Sequence, residues 1–214
     1  MFHIEILDEK RRGLLPKVAT VGESFYLAGG TALALQFGHR DSIDFDFFIH
    51  SDIDTDDLWG KCMDVFTGNH IQKTQEEKNT LSIIIDHQVR ISFFGYHYPL
   101  LEQTHQQNGL SFATPLDIGC MKLSAITSRA TSKDYIDLYF ILQNYTLTAL
   151  LKACSNKYPT LDQGLILKSL VYFADITAEP IRFMPGFEIP FTKVSSTLTD
   201  IVKQYWMSAE STQQ

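Results

Sequence analysis

The chain has 214 residues, 44% of them hydrophobic, enough to bury a substantial core in one domain or two small, tightly joined ones. A formal net charge of -7 argues against a general nucleic-acid coat, which relies on Lys and Arg to neutralise phosphates. Three scattered cysteines (Cys62, Cys120 and Cys154) with no C-x-x-C spacing argue against a zinc site or disulfide framework, and the chain has neither a signal-peptide pattern nor an apolar run of bilayer length, so a cytoplasmic protein with no membrane partner is expected.

In chain order, residues 8–20 read as a helix interrupted or restarted near Pro16. Residues 24–28 read as a buried strand, turned by Gly29 and Gly30 into an Ala/Leu-rich helix over 31–37 that Gly38 is placed to end. A strand over 43–49 and a helix over 54–66 follow, then strands over 70–74, 80–86 and 89–94, the last two forming a hairpin across His87-Gln88. The polar stretch 102–113 reads as a connection. Beyond it the pattern turns helical. Thr114-Pro115-Leu116-Asp117 is a start signal for a helix reaching about Arg129, because Thr caps, Pro fits the first turn and Asp favours the positive end. Further helices are expected over 132–144, 147–156 and 161–175. After a Pro-rich loop over 178–190, Val194, Leu198, Ile201, Val202, Tyr205 and Trp206 share one face of a last amphipathic helix. The expected fold is α+β: a mixed sheet with helices over 1–101, followed by a helical bundle over 102–214.

The chemistry concentrates between Leu27 and Ile49. Gly29-Gly30-Thr31 lies at a strand-to-helix junction, where glycines let the backbone approach a phosphate chain and the helix N-terminus offers free N–H groups. The Thr31 hydroxyl can add one hydrogen bond. On the strand that follows, alternation sets Asp44, Asp46 and Phe48 on one face and Ile43, Phe45 and Phe47 on a core face, with the two carboxylates about 7 Å apart. Two such carboxylates can share a Mg²⁺ ion that also takes oxygens from substrate phosphates. Each motif alone is weak, since tight turns and surface Asp pairs are common. Their order and short separation point to nucleotidyl transfer. His39 and Arg40 precede the strand and either bind phosphate or partner Asp44, or form a loop pair that serves solubility or the turn.

The run Gly29-Gly-Thr-Ala-Leu-Ala-Leu35, followed by His39-Arg-Asp-Ser-Ile-Asp-Phe-Asp-Phe-Phe48, resembles the nucleotidyltransferases of the AbiEii/AbiGii toxin family. More distantly it resembles the minimal nucleotidyltransferases of the polymerase-beta superfamily. The run from Ile118 to Tyr139, with Lys122, Arg129, Lys133, Asp134 and Asp137, matches a second block of that family. The resemblance implies a nucleotidyltransferase-like core with a helical C-terminal half. It implies Mg²⁺-dependent transfer of a nucleoside monophosphate from an NTP, with a tRNA 3′ end as one acceptor and a cognate antitoxin protein as partner. Gly29, Gly30 and Thr31 match its phosphate turn, Asp44 and Asp46 its metal pair, and Lys122 its phosphate-contacting lysine. Asp134 and Asp137 match its later acidic positions, where a catalytic or structural role is expected.

One departure stands out. The superfamily carries a third carboxylate on a later strand, and Ser92 stands there instead. The general base then falls to Asp86, Asp134 or Asp137, or the metal activates the acceptor, or the site binds nucleotide without reacting. A small-molecule or protein acceptor is the alternative to RNA. Read without the resemblance, Lys122 and Arg129 share a helix face and meet phosphates or form a solvated stripe. Asp134 and Asp137 equally suit an ion network joining two helices.

Overall fold

The structure, a computed structural model, describes residues 2–211. It divides into two compact units, Met1–Thr114 and Pro115–Gln214.

The first unit is built on a seven-stranded mixed sheet of β1 (Tyr26–Ala28), β2 (Asp44–Ile49), β3 (Ile71–Glu77), β4 (Thr80–Ile85), β5 (Val89–Gly95), β6 (His105–Gln107) and β7 (Leu110–Phe112). The order across the sheet is β3-β4-β5-β2-β1-β7-β6. β2 pairs parallel with β5 and antiparallel with β1, while β3, β4 and β5 form an antiparallel meander. One sheet face carries the core: Phe45, Phe47, Leu81, Ile83, Ile91 and Phe93 are fully buried, with Phe47 and Phe93 stacked at 5.4 Å. Three helices accompany the sheet: α1 (Glu9–Val21), α2 (Gly29–Phe37) and α3 (Thr55–Val65). Asp8 caps α1 by accepting from Arg11 N, and Asp54 caps α3 by accepting from Asp56 N and Asp57 N.

Several expectations shift. α1 runs unbroken through Pro16, because Leu14, Leu15, Val18 and Val21 bury one face and outweigh the lost backbone donor. Ile43 is 50% exposed rather than core, since β2 begins only at Asp44 and the Ile43 carbonyl accepts from Arg11 Nε at 2.7 Å. The stretch 102–113 is not a bare connection. It holds the β6–β7 hairpin, turned by Asn108 and Gly109, both at positive φ (51° and 76°). β7 pairs parallel with β1, so these residues complete the sheet and the division falls after Thr114 rather than after residue 101.

The second unit is helical: α4 (Pro115–Ala125), α5 (Ser132–Ile141), α6 (Leu147–Lys157), α7 (Gln163–Val171) and α8 (Phe191–Ser211). Thr131, Thr146 and Asp162 accept from Asp134 N, Ala149 N and Leu165 N as caps. α4 packs on α5 and α6, and Gly119 permits close approach, since a Cβ there would lie 2.9 Å from Leu150. Val194, Leu198 and Val202 bury one face of α8, whereas Trp206, expected on that face, is 51% exposed. α4 stops at Ala125, short of Arg129, and residues beyond it continue as turns. Among the described residues, no helix is long and apolar enough to cross a membrane.

Candidate functional site

The glycine turn and the acidic strand form one site in the first unit. Gly29 opens α2 at φ +70°, and Ala28, at the cap position, makes no side-chain cap hydrogen bond. Ala28 stands opposite Asp46 in the β1–β2 ladder. A Cβ on Gly29 would lie 3.0 Å from Asp46 Oδ2, so the bare Cα is what lets the turn and the carboxylate sit side by side.

Gly30 is equally constrained. A Cβ there would lie 2.5 Å from Arg40 Nη2 and 3.5 Å from Ser42 Oγ. Arg40 is thus buried against the turn, with Nη1 donating to the Asp41 carbonyl at 2.8 Å. Its preceding neighbour His39 is also buried, which sets this pair apart from a solvated loop. Thr31 does something other than the expected contact with a ligand. Its hydroxyl donates to the Asp44 carbonyl and shares a 2.7 Å hydrogen bond with the Ser42 hydroxyl, and the residue is buried. Thr31 therefore ties the start of α2 to the start of β2, which fixes the turn against the carboxylates.

β2 places Asp44 and Asp46, both half-buried, on the face opposite the phenylalanine core. The parallel pairing with β5 sets Arg90 beside Asp44 and Ser92 beside Asp46. Ser92 therefore stands next to the carboxylate pair, at the position expected of a third carboxylate. It is buried, and its hydroxyl bonds that of Ser82 on β4 at 3.1 Å. Arg90, an exposed cation in register with Asp44, escaped the sequence reading because parallel pairing of β2 with β5 leaves no local signal.

Asp86 does not take the missing carboxylate's place. It accepts from His70 N at 2.8 Å and Asn69 Nδ2 at 3.0 Å, and pairs with Lys10 at 3.5 Å, so it pins the β4–β5 turn to the start of β3. The Asn69 bond, then the His70 N–H, hold its carboxyl below the usual carboxylate range. Among the described residues, no group of three or more His, Cys, Asp and Glu side chains is placed to hold a metal ion. Two carboxylates beside a glycine-hinged helix start do suit Mg²⁺, which favours one or two carboxylates, waters and substrate phosphates over an all-protein cage.

In the second unit, Lys122, Asp134 and Asp137 form a buried cluster. Lys122 Nζ lies 2.7 Å from Asp134 Oδ1 and 2.8 Å from Asp137 Oδ2, joining α4 to α5. Thr131 Oγ1 donates to Asp134 Oδ2 at 2.9 Å, and Arg129 Nε approaches the same oxygen at 3.7 Å. Of the two cations expected at phosphates, Lys122 is thus clasped by two carboxylates, while the Arg129 side chain is 68% exposed. A second buried pair, Lys157 with Asp117 at 2.8 Å, joins α6 to α4 and had no sequence signal. Tyr135 is core, as expected, its hydroxyl donating to the Ser169 carbonyl at 2.8 Å, and burial, with Asp134 adding, pushes its pKa up.

The chain resembles known proteins in sequence and in fold. Residues 17–190 match the family described as nucleotidyl transferase AbiEii toxin, type IV TA system. An uncharacterized protein of Aquifex aeolicus (strain VF5) is 38% identical over 179 residues, covering 81% of this chain and 86% of its own. The fold is shared with JHP933 from Helicobacter pylori, at TM-score 0.55 and 16% identity over 97% of this chain and 100% of that one. It is also shared with MenT4, a nucleotidyltransferase toxin of Mycobacterium tuberculosis H37Rv, at TM-score 0.55 and 14% identity over 89% of this chain and 83% of that one.

Proposed function

The chain belongs to the AbiEii family and is a nucleotidyltransferase; from that premise we propose that it moves a nucleoside monophosphate from an NTP to the hydroxyl of a tRNA 3′ end, as the toxin of a toxin–antitoxin pair. The observation that carries the reading is the 3.0 Å separation between the Cβ position of Gly29 and Asp46 Oδ2, which makes phosphate turn and carboxylate pair a single site. Asp44 and Asp46 would hold a Mg²⁺ ion, whose charge would polarise the attacked phosphoryl group and steady the leaving pyrophosphate.

The backbone N–H groups at Gly29 and Gly30 receive the outer phosphates, with the buried Arg40 charge behind them. Thr31 positions rather than binds, holding the turn to β2. Arg129, exposed, is the cation offered to nucleotide or RNA phosphates. Lys122 and Asp137 order α4 and α5 through their ion cluster and act as positioning residues. Ser92 cannot serve as a base near neutral pH, so the acceptor hydroxyl is deprotonated without a third strand carboxylate. A net charge of -7 favours a second reading in which the acceptor is a small molecule or protein.

The test is incubation of the pure protein with labelled NTPs, Mg²⁺ and total tRNA. Labelled RNA and released pyrophosphate are expected from the wild type, and neither from Asp44→Asn or Asp46→Asn. A folded wild type that binds NTP yet yields neither product would refute the tRNA assignment. Label appearing in a protein or small molecule instead would establish the second reading.

A further inference from the structure

The sheet face that carries the carboxylates is zoned in rows. Asp44 and Arg90 make a charged row, and Asp46, Ser92 and Ser82 a polar one. The next row is aromatic: Tyr26, Phe48 and Phe94 stand side by side across β1, β2 and β5. Tyr26 stacks on Phe48 at 5.9 Å and Phe48 on Phe94 at 5.1 Å, with interplanar angles of 24° and 27°. Tyr96 sets its ring edge-to-face on Phe48 at 5.3 Å, and Tyr98 follows on Tyr96 at 5.1 Å.

Tyr26 belongs to the core, but the rest of this cluster is not fully buried. The opposite face already holds Phe45, Phe47 and Phe93 with no exposed surface. The aromatic row instead grades outward. Tyr26 is buried, Phe48, Phe94 and Tyr96 are half-buried, and Tyr98 is 44% exposed. Phe48 lies two residues along the strand from Asp46, a step of about 7 Å. An aromatic surface one such step from a phosphate-and-metal site has the reach of a ribose and offers a flat partner to whatever the ribose bears.

We propose that Tyr96 and Tyr98, backed by Phe48 and Phe94, form a stacking platform for a nucleobase of the substrate. The inference rests on the nucleotidyl-transfer reading of Asp44 and Asp46 and names where that site takes the base. Stacking is tolerant of sequence because every base has a π-face, so the platform favours base over no base more than one base over another.

Calorimetric titration of the full chain tests it, with Mg²⁺ and each of ATP, CTP, GTP and UTP, with Mg²⁺ tripolyphosphate as a probe lacking a base, and with a short single-stranded RNA oligonucleotide. Tyr96→Ala and Tyr98→Ala are each expected to weaken the binding of a base-bearing ligand roughly 5- to 150-fold. Tripolyphosphate binding is expected to stay unchanged, and Tyr96→Phe to bind as the wild type does. Weakened NTP binding assigns the base to the donor nucleotide, and weakened RNA binding alone assigns it to the acceptor. Unchanged binding of both, or tripolyphosphate weakened equally, overturns the platform while leaving the nucleotidyl-transfer reading intact. A wild type that binds neither tripolyphosphate nor NTP overturns both.

Discussion

Lys122 offers the sharpest test of what the second unit does. Its ammonium is shared by Asp134 and Asp137, whose side chains are 2% and 0% exposed. Lys122→Met removes that charge and leaves two buried carboxylates across a short gap. Breaking a buried ion pair by deleting one partner costs about 3–5 kcal/mol, a large share of the roughly 5–15 kcal/mol that holds a typical protein folded. With a urea m-value of about 2 kcal/mol/M, the midpoint falls by about 1.5–2.5 M. Replacing all three charges (Lys122→Met with Asp134→Asn and Asp137→Asn) should recover most of the loss. The assay is urea unfolding beside NTP kinetics. An unchanged midpoint, with a raised KM for NTP at unchanged kcat, would show that Lys122 reaches phosphate and would refute the positioning role.

Gly29→Ala forces φ +70° on an alanine, costing about 1–2 kcal/mol, and presses a methyl against Asp46 Oδ2. Calorimetry should show Mg²⁺-dependent NTP binding lost, whereas Gly109→Ala, strained at φ +76° in the β6–β7 turn, lowers Tm and keeps NTP binding. Burial pushes the Cys62 thiol up to about 12, and all three cysteines are buried. An aromatic disulfide reagent at pH 8 should therefore label none in the native protein and three after unfolding. The depressed Asp86 carboxyl contributes stability above its ordinary value of 3.8 and loses it as pH falls through the lower folded value. The Tm gap between wild type and Asp86→Ala should thus be present at pH 7 and close below about pH 4.

The sequence was most readable where local chemistry and tertiary packing demand the same thing. Phe45 and Phe47 alternate with Asp44 and Asp46, and the sheet honours that alternation on both faces. Gly38 ends α2 at φ +68°, as its position foretold. Legibility failed where the decisive partner is distant in the chain. Arg90 and Ser92 join the site only through a parallel ladder that links β2 to β5 across more than forty residues. The β6–β7 hairpin carries an Asn-Gly turn signal, but its strands are short, polar and exposed on β6, so apolar alternation never announced them. Thr31 shows a third limit. A hydroxyl after two glycines suits a phosphate, and only the position of the Asp44 carbonyl reveals that the strand claims it first.

Charge placement decides how an acidic protein can take an RNA acceptor. Residues before Pro115 carry nine Lys and Arg against sixteen Asp and Glu, and those from Pro115 onward carry nine against nine. The whole excess of negative charge therefore lies in the unit that holds the carboxylate pair. Among the described residues of the second unit, the acids Asp117, Asp134 and Asp137 are buried, against the bases Lys122 and Lys157. Its outer surface is left close to neutral, with a slight basic lean. Such a surface can grip only a few phosphates of a single-stranded end. At about 0.7 of logarithmic slope per phosphate, four contacts give a salt dependence no steeper than about -3. Arg129, 68% exposed, should account for one contact, so Arg129→Gln is expected to flatten the slope by about 0.7. Filter binding of tRNA across a salt series reads both values. A slope steeper than about -5 would require a broad basic face that this charge distribution does not supply, and would overturn the proposed grip on an RNA end alone.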